Sequence, residues 1–129
     1  GFFTLRDSSR PVFFVATGVG VAPILGMMRD ERRKKTNRDM RLIFGVRYDT
    51  DCIFTDELAA ALPKCTITLS QPKDTWKGAR GRVTEHLKTL ENPEQFDFYL
   101  CGHPEMVKDA QSLLKSRNVP PEQIFFEIF

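Results

Sequence analysis

The 129-residue chain holds no apolar run near the roughly 20 residues that cross a bilayer, so no membrane helix and no direct membrane insertion are expected. Its first residues, GFFTLRDSS, lack the basic head, apolar core and small-residue cleavage site of a secretory signal. Cysteine is scarce: Cys52, Cys65 and Cys101 are odd in number and widely spaced, which argues against a disulfide framework and against zinc. A reducing, cytoplasmic setting is the expectation that follows. The two histidines, His86 and His103, are too isolated to suggest a metal centre. Excess charge of one sign is missing as well. A net charge of +2, with no basic patch interleaved with aromatics, points away from nucleic acid as a partner. The densest charge run, Arg29–Lys35, falls late in a helical pattern, where a solvated face and a favourable dipole interaction account for it. There is no Ser–His–Asp set, carboxylate pair or Cys-x-x-Cys motif, no internal repeat and no low-complexity segment.

What is present reads as one domain with a substantial core. Short apolar runs alternate with helical patterns. Strands are expected at Val12–Ala16, Arg41–Arg47, Cys65–Ser70, Phe96–Cys101 and Gln123–Ile128. Helices are expected at Ala22–Lys35, Asp56–Leu62 (Thr55 as cap, Pro63 after its end), Val83–Leu90 and Glu105–Ser116. The alternation predicts an α/β fold, a doubly wound, mainly parallel five-stranded sheet with helices on both faces, Rossmann-like. Residues 1–10 read as an extended lead-in outside the sheet, continuing from a missing domain, and 11–129 as the folded domain. Gln71–Arg82 reads as a long connection carrying the only tryptophan, Trp76.

The organising stretch is PVFFVATGVGVAPILGMM, residues 11–28. An apolar strand enters the turn Thr17-Gly18-Val19-Gly20, and Pro23 suits the first turn of the helix that follows, where a missing N–H removes no helical bond. Free N–H groups and the helix dipole would then face an anion, and Gly18 and Gly20 would let the backbone approach a pyrophosphate. Pro23 stands where a GxGxxG pattern would carry its third glycine, so the close helix–strand contact that glycine allows is not expected.

In such a sheet ligands bind beyond the carboxyl ends of the strands. Thr17–Gly20, Arg47–Asp51, Ser70–Pro72 and Cys101–Pro104 all fall there. Arg47, Asp49 and Asp51 are either a solvated turn or the ribose end of a nucleotide site, where their mixed charges leave the cofactor ambiguous, and Ser70-Gln71-Pro72 is either a source of hydrogen bonds or an ordinary loop. Cys101 is either a small buried hydrophobe or a thiol touching a flat ligand. His103 reads as a helix-start residue, and Met106 lies on an apolar helix face.

GFFTL, PVFFVATGVGVAP, RLIFGVR, LSQP, DFYLCGHPEMV and FFEIF, in this order and spacing, resemble the pyridine-nucleotide domain of the ferredoxin–NADP reductase family. Within it they look most like NADH-dependent reductase components of bacterial oxygenases. The resemblance implies that Thr17, Gly18, Val19, Gly20 and Pro23 hold the pyrophosphate. Gly45, Arg47, Ser70, Gln71 and Pro72 would flank the adenosine, Cys101, Gly102 and Pro104 would lie by the nicotinamide, and Met106 is counted with the cofactor-binding residues. Cys101, Glu127 and Phe129 would form the hydride-transfer site, with the Phe129 ring near a flavin. It implies NADH or NADPH as cofactor and FAD bound mainly by an upstream flavin-binding domain absent from this chain. Electrons would pass on singly to an iron–sulfur centre, a ferredoxin-type acceptor or an oxygenase. Gln71 and Pro72 after Ser70 favour NADH, and Arg47 keeps NADPH open. Two other readings stand beside this one: a non-catalytic nucleotide-sensing or interaction domain, and the flavin-carrying component of a membrane NADH:quinone reductase.

Overall fold

Val12 to Ala16 are apolar without a break, and a strand of that kind is stable only with both faces covered. In the computed structural model, which describes residues 3–52, 55–61 and 64–128, this run is the centre of the sheet. The strands are β1 (Val12–Thr17), β2 (Met40–Val46), β3 (Cys65–Leu69), β4 (Ala79–Arg80), β5 (Asp97–Gly102) and β6 (Ile124–Ile128). The helices are α1 (Val21–Arg33), α2 (Thr55–Ala61), α3 (Val83–Lys88) and α4 (Pro104–Ser116). All strand pairs are parallel, in the order β4-β3-β2-β1-β5-β6.

Among the described residues the sheet therefore has six strands where five were expected. The extra one, β4, lies inside the 71–82 connection and pairs only Ala79 and Arg80 with Thr68 and Leu69, too short to show as a period-2 pattern. The other elements begin and end within two residues of their expected limits. Thr55 opens α2 rather than preceding it, and Leu62 and Pro63 lie outside the described residues, as do Gly1, Phe2 and Phe129.

Alternation along β1 divides the core. Val12, Phe14 and Ala16 pack with Ile24, Leu25, Met28, Phe44, Leu58, Tyr99 and Cys101 on the face covered by α1 and α2. Val15 packs with Ile43, Val83, Leu87, Phe98, Leu100, Val107 and Leu114 on the face covered by α3 and α4. After β1 the chain moves outward through β2 to β4, then returns to β5 on the other side of β1. That reversal opens a crevice at the carboxyl end of β1, because the connections on its two sides leave in opposite directions.

Residues 3–10 join no strand, as expected, but they are docked on the sheet. The Arg6 N–H donates to the Tyr99 hydroxyl at 2.8 Å, the Arg6 guanidinium lies 5.2 Å from the Phe125 ring centre, and Phe3 packs 5.7 Å from Tyr99. Arg38, 6% exposed, secures the segment's other end. It donates to the carbonyls of Arg6 and Arg10 at 2.7 Å each and to Asp97 Oδ2 at 2.9 Å. Asp97, 2% exposed, also accepts from Arg10 Nε at 2.7 Å, so a buried carboxylate sits between two guanidinium groups. Among the described residues no helix is long and apolar enough to cross a membrane.

Candidate functional site

Two turns at the carboxyl edge interlock. After β1 the chain makes a single 3₁₀ turn, Gly18–Gly20, that leads directly into α1. Gly18 has φ +52°, a left-handed conformation glycine adopts without cost, and a Cβ built there would meet nothing within 4 Å. Gly18 and Val19 are exposed, and the first turn of α1 carries no acidic side chain to compete for an anion. Gly20 is different. Its φ of −60° suits any residue, but a Cβ would lie 2.2 Å from the Cys101 carbonyl oxygen. Gly20 thus packs closely against the end of β5, a contact separate from the one a third glycine at position 23 would allow. Gly20 therefore serves the packing of the two turns, and Gly18 presents the open face.

Opposite it, Gly102 has φ +150°, and a Cβ there would come within 2.2 Å of Thr17 Oγ1. That hydroxyl accepts the His103 N–H at 3.1 Å. His103 caps α4, its Nδ1 accepting from the Glu105 N–H at 3.3 Å, which makes it a helix-start residue as expected. Pro104 fills the first position of α4.

Beside these turns, on the α3 and α4 face, lies a cleft of about 420 Å³. It brings together six of the residues expected at a nucleotide site: Thr17, Gly45, Arg47, Ser70, Gln71 and Met106. Gly45 forms part of the floor, because a Cβ there would meet Val83 Cγ1 at 2.7 Å. Met106 both lines the cleft and packs on the core beneath α4, so the two uses weighed for it coexist. Asp49 and Asp51 do not enter the cleft. Their carboxylates accept the backbone N–H groups of Lys73 and Tyr48, at 3.2 and 3.3 Å, which leaves Arg47 as the cleft's charge at this turn. Pro72, Gly18, Val19, Gly20, Pro23, Gly102 and Pro104 are not part of the cleft lining.

Cys101 and Glu127 are not in the cleft either. They are register neighbours on β5 and β6, on the face shared with α1 and the docked 3–10 segment. Cys101 is fully buried, and burial, with the nearby Glu127 carboxylate, pushes its thiol up to about 12. Both effects favour the neutral thiol over the thiolate at physiological pH. Phe129, the third residue expected there, lies outside the described residues.

The cleft includes residues that sequence reasoning passed over, chiefly Gly81, Arg82, Thr84, Glu105 and Asp109. The available signal was the length of the 71–82 connection, since a link that long usually does something besides joining elements. The connection is an ordered wall. Trp76 Nε1 donates to the Ala79 carbonyl at 2.8 Å and Arg80 Nη2 to the Trp76 carbonyl at 2.7 Å.

A six-stranded doubly wound sheet with a glycine turn, a helix N-terminus and a cleft at its switch point defines a nucleotide-binding α/β domain. The profile of the oxidoreductase NAD-binding domain matches residues 14–112, and the chain belongs to that family. It is 34% identical over its whole length to the electron transfer component of a xylene/toluene monooxygenase from Pseudomonas putida, covering 39% of that protein. It is 31% identical, again over its whole length, to one component of a Na⁺-translocating NADH-quinone reductase from Neisseria meningitidis, covering 35% of it. A ferredoxin reductase in carbazole 1,9a-dioxygenase has the same fold, with a TM-score of 0.85 at 22% identity over 99% of this chain and 40% of that one. The chain thus spans about two-fifths of the length of the relatives it matches.

Proposed function

We propose that this domain binds a reduced pyridine dinucleotide and presents its nicotinamide to a flavin, FAD, carried elsewhere in a longer reductase. The observation that carries the reading is convergence. Thr17, Gly45, Arg47, Ser70, Gln71 and Met106, drawn from four separate segments, meet in one cleft beside a glycine turn whose open face would accept a phosphate. The cleft's volume suits an adenosine half, and Gly18, with no atom within 4 Å of a Cβ, leaves room for a pyrophosphate against the α1 N-terminus.

When bound, reduced nicotinamide supplies a hydride to flavin. The chain's own residues bind and orient. Thr17, Gly18, Val19, Gly20 and Pro23 form the pyrophosphate turn; Gly45, Arg47, Ser70, Gln71 and Pro72 flank the adenosine; and Gly102, Pro104 and Met106 bound the nicotinamide side. Cys101, buried at the end of β5, would lie beneath the nicotinamide side as an uncharged group that neither traps an electrophilic ring nor exchanges protons with it. Glu127 neighbours it in register, and Phe129 would stack near the flavin as a removable cover. Holding reacting groups near contact is the domain's contribution to rate.

The partner is an upstream flavin-binding domain, joined through residues 1–10. The onward acceptor is an iron–sulfur ferredoxin-type centre or an oxygenase, in keeping with the electron transfer relative. The NADH-quinone reductase relative supports a second reading, in which the same domain feeds a membrane quinone reductase. On the cofactor, Gln71 and Pro72 after Ser70 favour NADH. NADPH is supported by Arg47 and Arg82, which line the cleft and form no ion pair among the described residues. Calorimetry with ADP-ribose and with its 2′-phosphate tests both points. Binding of either is expected, and tighter binding of the 2′-phosphate assigns NADPH. A folded chain that binds neither refutes the proposal.

A further inference from the structure

Thr17, Gly45, Thr68 and Ala79 occupy one cross-strand row through β1, β2, β3 and β4. The two threonines flank Gly45 on the cleft side. A Cβ at Gly45 would lie 3.5 Å from Thr17 Cγ2 and 3.8 Å from Thr68 Cγ2. Each hydroxyl reaches a different wall. Thr17 Oγ1 accepts the N–H of His103, which with Glu105 and Met106 lines one side. Thr68 Oγ1 donates to the Gly81 carbonyl at 2.8 Å, and Gly81 with Arg82 lines the other.

His86, on α3, completes the second tie. Its Nε2 lies 3.0 Å from Thr68 Oγ1 and 3.1 Å from the Arg80 carbonyl. A carbonyl only accepts, and the threonine hydrogen is directed at Gly81, so His86 carries its hydrogen on Nε2 and donates to both oxygens. Thr68 is fully buried and does not itself line the cleft. Packing alone would be served by valine at such a strand position, and a buried hydroxyl is unfavourable unless bonded. The Trp76 and Arg80 side chains tie the wall within itself, whereas Thr68 and His86 tie its last turn to the sheet and to α3.

We propose that Thr68, assisted by His86, is a positioning residue for nucleotide affinity. It holds the Gly81–Arg82 wall at a fixed distance from the His103 wall, which Thr17 holds, so the pair of threonines sets the width of the cleft. This rests on the nucleotide-binding reading of the cleft. The mechanism differs from direct contact, because any effect of Thr68 on binding must pass through the wall.

The test is calorimetry with ADP-ribose on the full chain and on Thr68→Val and Thr68→Ser, with Trp76 emission, the only tryptophan signal, reporting the wall. Thr68→Val keeps shape and loses the hydroxyl; it is expected to weaken ADP-ribose about tenfold and to shift Trp76 emission, the scale of one net hydrogen bond. Thr68→Ser keeps the hydroxyl and is expected to stay within about twofold. Unchanged affinity in Thr68→Val, or equal losses in the two variants, overturns the inference. Should Thr68→Val not fold, His86→Gln, which retains an N–H donor, must bind better than His86→Leu; equal affinity overturns it. A parent chain that binds no ADP-ribose refutes the nucleotide reading and the affinity role with it, whereas unchanged binding in a folded Thr68→Val refutes the tether alone.

Discussion

Replacing Gly20 with alanine adds one methyl group at the junction of the two turns. Nothing about the backbone opposes it, since φ −60° and ψ −15° are helical values. Taken alone, the stiffer unfolded chain would stabilise the domain by about 0.4–1 kcal/mol. Space decides the other way. The new Cβ would lie 2.2 Å from the Cys101 carbonyl oxygen, 2.5 Å from its carbon and 2.9 Å from Gly102 Cα, where real contacts essentially never fall below 3.0 Å. All three atoms are backbone, and Gly102 is itself pressed on Thr17, so no flexible side chain can yield. Overpacking of this kind costs about 3 kcal/mol, towards the upper end of the usual range. The net expectation is a loss of about 2 kcal/mol, which for a domain of this size lowers Tm by roughly 6 °C. Urea unfolding followed by circular dichroism measures it. A Gly20→Ala variant as stable as the parent would mean that the contact costs no more than the stiffer unfolded chain returns, and the interlocked turns would have to be abandoned. Gly18→Ala is the control. It has open space but φ +52°, so it loses about 1 kcal/mol to backbone strain while placing a methyl on the face proposed for the pyrophosphate. Its signature is weakened ADP-ribose binding with the smaller stability loss.

Two further outcomes follow from buried groups. Asp97→Ala removes the carboxylate between Arg10 and Arg38 and leaves the buried Arg38 charge uncompensated, for an expected loss of about 3–5 kcal/mol in urea unfolding. Arg38→Met, which leaves Asp97 paired with Arg10, is expected to cost less, and the reverse order would refute the assigned burial. For Cys101 the folded thiol stands near 12 against an ordinary 9.0, so the neutral form is favoured by folding. Its contribution is fully present below pH 9 and is lost as pH rises from 9 towards 12, by up to about 1.4 kcal/mol per unit. Stability of the parent relative to Cys101→Ala should therefore decline across that window, and a constant difference would count against the buried neutral thiol. At pH 8, alkylation followed by mass spectrometry should leave Cys101 unmodified in the folded chain.

The architecture was legible from local patterns. An unbroken apolar run such as Val12–Ala16 has one stable use, a strand covered on both faces, and the amphipathic period of Glu105–Ser116 has one as well, a helix laid on a sheet. The glycine turn, His103 as a helix-start residue and the segments at the strands' carboxyl ends were readable for the same reason, since each depends on neighbours in the chain. Only tertiary structure decided what each glycine is for. Gly18 and Gly20 look alike in the sequence, yet one faces open space and the other the carbonyl of Cys101, 81 positions away in the chain. Tertiary structure likewise put Cys101 and Glu127 on the face opposite the cleft, turned Asp49 and Asp51 away from it, and brought Arg82 to its far wall with Thr68 bonded behind it to Gly81. Those outcomes depend on strand order and on which face of the sheet each side chain meets. Local propensity carries no information about either, because both are set by contacts between segments distant in the chain.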